Sequence, residues 1–88
     1  MHAAEAWLPR EEAIAMASAE LRRSLEQNGP YYARTPATLP DPDRPIDSSV
    51  RMEDAWYFIP FARADATAKP LVIRVNALTK RVVFGRAA

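Results

Sequence analysis

The residues that could do chemistry in this chain are few and scattered. His2 is the single histidine. A general base or a metal ligand of that type needs its ring held by neighbours, and next to the first methionine it reads as a solvated terminal side chain. Asp41, Asp43 and Asp47 put three carboxylates in a short stretch, the hard oxygen donors that calcium would take. The calcium-loop pattern also needs a central glycine and a closing bidentate glutamate, and both are missing. The three aspartates therefore read as a solvated loop or as acidic contacts to a partner. Glu53-Asp54 could form a carboxylate pair, but adjacent strand residues point to opposite faces, so a bulge or a charged strand end is the better reading. Gly29 and Gly85 are the only glycines, which leaves no glycine-rich loop to cradle a phosphate. Cysteine is absent, so a disulfide scaffold, a thiolate metal site and a thiol nucleophile are excluded. That usage fits a reducing compartment. The expectation is a protein that is not an enzyme and needs no cofactor and no metal.

A second group could bind rather than react. Trp56, Tyr57, Phe58 and Phe61, with Arg51, Arg63 and Arg74, have the composition of a base-stacking platform. Aromatics crowded on one strand more often belong to a core, and the glycines that separate the aromatics in ribonucleoprotein strands are missing. The net charge of +1 gives no electrostatic case for nucleic acid or an acidic membrane. Five acids and three bases in residues 1–29 against six and nine in residues 30–88 is only a mild basic bias. Nucleic acid is thus the less favoured partner.

The elements that must position these groups follow from pattern. The 88 residues, 49% of them hydrophobic, suit one domain over residues 1–88 with one core. A helix is predicted over 9–28. Pro9 suits the first turn, Glu11 and Glu12 complement the positive end of the dipole, and Asn28-Gly29-Pro30 stops it. Ile14, Ala17, Ser18, Leu21 and Leu25 make one narrow apolar stripe beside small alanines. Residues 30–49 hold five of the eight prolines, which rules out a helix or a central strand. They are expected to form an extended surface connection, its start pinned by Tyr31 and Tyr32. Residues 50–61 read as a strand, bent near Glu53-Asp54 and apolar on both faces in its second half. Residues 71–85 read as a hairpin in which Ala77-Leu78-Thr79-Lys80 turns the chain and Val75 faces Val82. One hairpin face is then Leu71, Ile73, Val75, Val82 and Phe84, and the other is Val72, Arg74, Asn76, Arg81 and Val83. The fold expected is α+β: one N-terminal helix packed on an antiparallel meander of three to four strands, the sheet covering about residues 50–86.

Two segments resemble a known pattern. Pro9-Arg10-Glu11-Glu12-Ala13-Ile14-Ala15-Met16-Ala17 resembles the "EEAIxxA" helix start of PepSY-like and YrhB-type small domains. Glu53-Asp54-Ala55-Trp56-Tyr57-Phe58 resembles their "GWxF" strand. Residues 70–76 and 79–83 resemble their "PLxVDxxTGxV" hairpin. Ala55 and Lys80 stand where those domains carry glycine. YrhB-type proteins are immunity proteins of bacterial toxin systems. The resemblance implies a small cytoplasmic inhibitor that binds a cognate toxin, with no catalytic residues. The alternative is a PepSY-like structural or regulatory interaction domain, in which a homodimer would be possible.

A partner then has two surfaces to use. A single helix covers one sheet face, which leaves Val72, Arg74, Arg81 and Val83 on the other, a mixture suited to an interface core. The second surface is the proline-rich loop with Asp41, Asp43 and Asp47. No apolar run approaches the ~20 residues that span a bilayer, and the N-terminus lacks the pattern of a signal peptide, so the expected location is the cytoplasm.

Overall fold

The computed structural model describes residues 7–27 and 39–85. The elements are helix α1 (Arg10–Gln27), strand β1 (Pro40–Pro45), a 3-10 turn (Asp47–Ser49), β2 (Arg51–Glu53), β3 (Trp56–Arg63), β4 (Leu71–Asn76) and β5 (Val82–Gly85). Strands β2 to β5 form the antiparallel meander, and β1 and β2 lie in succession along the same edge of β3. The fold class is as expected, with five strands rather than three or four. The proposed helix stop at Asn28-Gly29-Pro30 and the Tyr31-Tyr32 anchor lie outside the described residues, as does His2.

Helix α1 begins one residue later than predicted, and Ala13 N–H donates to Pro9 O at 2.9 Å. Its fully buried residues are Ala13, Ala17 and Leu21, with Ile14 and Leu25 packed beside them. They meet Ile59 and Phe61 from β3 and Ile73 and Val75 from β4, all with no exposed surface. Leu71, Val82 and Phe84 complete that side. The predicted packing face is therefore the one the helix covers. Two alanines on the buried stripe let the helix axis approach the strands closely, because there is no longer side chain to hold it off.

Two expectations need correction. The proline-rich segment is not only a connection: residues 40–45 pair with β3, with Pro40 opposite Arg63 and Pro45 opposite Phe61. Five steps on β1 span two on β3, so the residues between bulge out of the ladder. Prolines forbid a central strand but tolerate an edge, and an edge is what they form. The segment 50–61 is not one bent strand but a hairpin, with Glu53 opposite Trp56. Its two turn residues, Asp54 and Ala55, have φ of 54° and 69°. Positive φ at both positions is the two-residue turn whose twist matches paired strands.

The second hairpin is as predicted, with Val75 opposite Val82 and Ile73 opposite Phe84. Asn76 Oδ1 accepts from Leu78 N–H and Thr79 N–H at 2.9 Å each, a side chain standing in for backbone at a turn. Lys80 N–H donates to Asn76 O and Asn76 N–H to Arg81 O, so Lys80 and Arg81 together oppose one residue in a bulge with Lys80 at φ 64°. Ala55 and Lys80 thus occupy left-handed positions that favour glycine. Ala55→Gly and Lys80→Gly are each expected to raise stability by about 0.5–1 kcal/mol, the relief of a Cβ clash less the entropy glycine loses on folding. Urea midpoints of the two single variants check this, and a fall in both would contradict it.

Candidate interaction surface

Strand alternation sorts the aromatics of β3. Tyr57, Ile59 and Phe61 turn toward α1. Trp56 and Phe58 turn to the opposite face, beside Arg51 and Glu53 of β2, Val72 and Arg74 of β4 and Val83 of β5. The expectation that these aromatics are core therefore holds for Phe61 and for Tyr57, which packs against the core, and fails for Trp56 and Phe58. Both remain partly exposed, and the only α-helix among the described residues lies on the other side of the sheet.

The arginines on this face lie over the rings. The Arg51 guanidinium sits 4.3 Å from the centroid of Phe58, its cross-strand neighbour, and that of Arg74 sits 5.4 Å from the centroid of Trp56, its diagonal neighbour. A guanidinium over a ring is held by the ring quadrupole. Arg74 Nε is buried and has no hydrogen-bond partner, so the cation is partly desolvated and incompletely satisfied. Arg51 also pairs with Glu53 at 3.0 Å. The site's sequence signal was the alternation itself: once Ile59 is placed inside, Trp56 and Phe58 must lie outside.

The predicted site residues fall into two separate places. Val72, Arg74 and Val83 are partly buried on the open face, where Arg74 opposes Val83. Arg81 is exposed just ahead of β5, at the position diagonal to Arg74. The aspartates belong elsewhere. Asp47 accepts from Arg10 at 2.8 Å, Asp43 from Arg22 at 2.5 Å, and Asp41 from Asp43 N–H at 2.9 Å. Ser18 Oγ donates to Pro42 O at 2.7 Å. Arg10, Ser18 and Arg22 lie on one side of α1, at multiples of four residues, so the bulged β1 segment is fastened along the helix and away from the open face. These ion pairs are largely exposed and contribute little to stability, but they fix where the loop lies.

Leu8, just ahead of α1, is tied to the same frame. Leu8 N–H donates to Ala77 O, and Leu8 O accepts from Tyr57 Oη at 2.7 Å. Asp65 is held below the usual carboxylate range by hydrogen bonds from Thr67 Oγ1 and then Thr67 N–H, in the connection between β3 and β4. Among the described residues no group of His, Cys, Asp or Glu is arranged to hold a metal ion, and no helix is long and apolar enough to cross a membrane. No family model, curated protein or solved structure matches the chain.

Proposed function

We propose that this chain is a non-catalytic protein-binding module that works through the open sheet face, and that its role is that of an immunity protein neutralising a cognate bacterial toxin in the cytoplasm. The observation that carries the binding reading is the pair of arginine–aromatic stacks, Arg51 on Phe58 and Arg74 on Trp56, partly exposed beside Val72 and Val83. Aromatics and arginine are the residues enriched where binding energy concentrates. Stacked side chains have already lost much of their rotamer freedom, which lowers the cost of ordering them on association. The unpartnered Arg74 Nε adds a donor that a carboxylate or a backbone carbonyl of a partner would satisfy. The immunity role is supported by the resemblance of the helix start and the two hairpins to YrhB-type domains.

The test takes the products of the neighbouring genes as candidate toxins. Co-expression should protect growth, and the purified pair should bind. Replacing Trp56 with alanine and Arg74 with glutamate together should leave the circular dichroism spectrum unchanged. The same change should weaken binding by roughly 30-fold or more, the effect of losing a hot spot worth ~2 kcal/mol. A folded double variant with unaltered affinity would move the site to the Asp41, Asp43 and Asp47 segment. Binding without protection would favour the PepSY-like interaction role. An affinity that collapses with added salt would instead indicate phosphate contacts.

A further inference from the structure

An open sheet has two edges, and each exposes backbone groups that another strand can take. This sheet protects one of them heavily. Pro40, Pro42 and Pro45 have no N–H to donate, residues 41–44 bulge from the ladder, and Arg51 and Glu53 add charge. The β5 edge has none of these devices. Its residues are Val82, Val83, Phe84 and Gly85, with no proline and no charge, and among the described residues no strand pairs with it.

Register decides which groups this edge presents. Asn76 N–H donates to Arg81 O at 2.8 Å, so Arg81 is turned toward β4. Antiparallel alternation then turns the N–H and C=O of Val83 toward Arg74 and those of Val82 and Phe84 outward. Four backbone groups are left along the edge, two donors and two acceptors.

We propose that β5 forms the centre of a homodimer, pairing antiparallel with β5 of a second copy about a two-fold axis at Val83. Centred there, Val82 meets Phe84 of the second copy and Phe84 meets its Val82, so all four outward groups on each copy are used in four backbone hydrogen bonds. Val83 faces its own equivalent. Arg81, the nearest charge, faces Gly85 of the second copy, and between Arg81 and Gly85 no two like charges are opposed. Moving the axis to Val82 would set Phe84 against Lys80, whose φ of 64° takes it out of the extended ladder. This register lets a second copy satisfy every outward group of the edge, so no foreign strand is required. An isologous contact of this kind closes on itself and does not propagate into filaments. It also joins the two open faces into one surface, with Val83 and Arg74 of both copies near its middle. The inference rests on backbone pairing and stands whether or not the open face binds a toxin.

The contact is short, so a weak, reversible dimer is expected. Sedimentation velocity of the full chain from about 10 µM to about 1 mM should show a monomer passing to a dimer. Over that range amide exchange at Val82 and Phe84 should slow as dimer forms, while that at Val83 stays protected throughout. Val83→Lys and Val83→Glu should each hold the protein monomeric by opposing like charges across the axis. An equimolar mixture should associate on the order of tenfold more tightly than either variant alone. A wild type that stays monomeric at every concentration overturns the proposal. So does a dimer indifferent to Val83→Lys, or protection of the Val82 and Phe84 amides in the dilute monomer, which would mean that the chain covers its own edge. Should a Val83 variant fail to fold, the wild-type exchange data still decide.

Discussion

Phe61→Ala is expected to destabilise the protein by about 3–5 kcal/mol, with Phe58→Ala costing less than half as much. Both phenylalanines sit on β3, three residues apart, and the chemistry removed is the same. What differs is the face. Phe61 has no exposed surface and touches the cluster built by Leu21, Ile59, Ile73 and Val75. Its loss leaves a cavity lined by residues from three elements, which can collapse only by moving the helix or the sheet. Phe58 is partly exposed and carries Arg51 at 4.3 Å. Its loss removes a stacked pair and some area while water fills the space. A domain of this size has a modest margin, so the larger figure would leave Phe61→Ala close to unfolded at room temperature. Urea unfolding of the two variants separates the outcomes. Equal losses would mean that the helix does not choose one face of the sheet.

The same contrast shows what pattern could and could not reveal. The β4–β5 hairpin was legible because one residue type dominates each role: alternation fixes the faces, and Asn76 with the following residues fixes the turn. The helix was legible from its stripe of Ile14, Ala17, Ser18, Leu21 and Leu25, although that stripe missed Ala13. Alanine carries no strong pattern signal, and its burial follows from how near the sheet lies. The hairpin at Asp54-Ala55 was hidden because Ala55 stands at a φ of 69°, where glycine would have announced a turn. The β1 strand was hidden because proline density signals a loop, and only the presence of a free sheet edge turns that segment into a strand. The open face was foreseen through Val72, Arg74 and Val83, but its aromatic half required knowing that Ile59 points inward. The intramolecular partners of the aspartates were hidden for a different reason. Those partners, Arg10 and Arg22, are at least 21 residues away in sequence, and no local pattern pairs residues at that distance.

The small residues of α1 lead to the second large effect. Ala17→Leu is expected to cost about 1–3 kcal/mol, whereas Ala15→Leu should change stability by no more than about 0.5 kcal/mol. Leucine and alanine are both good helix formers, so propensity cannot produce the difference. Ala17 has no exposed surface and lies between Ala13 and Leu21 on the stripe facing the sheet. Three added carbon atoms there must go into a packed interface, which resists because interiors have few voids. The helix can relieve the clash only by lifting away from the strands. Lifting would stretch the fastening on its flank, where Arg10, Ser18 and Arg22 hold Asp47, Pro42 and Asp43. It would also uncover Ile59 and Ile73, both now fully buried. Ala15 is exposed, so a leucine there meets water and nothing else. Denaturant midpoints of the two variants, read against wild type, give the comparison directly. A tolerant Ala17→Leu with an unchanged midpoint would mean that the helix sits further from the sheet than these contacts require. In that case the alanines would be there for helix propensity alone, and Ala13→Leu should be equally silent.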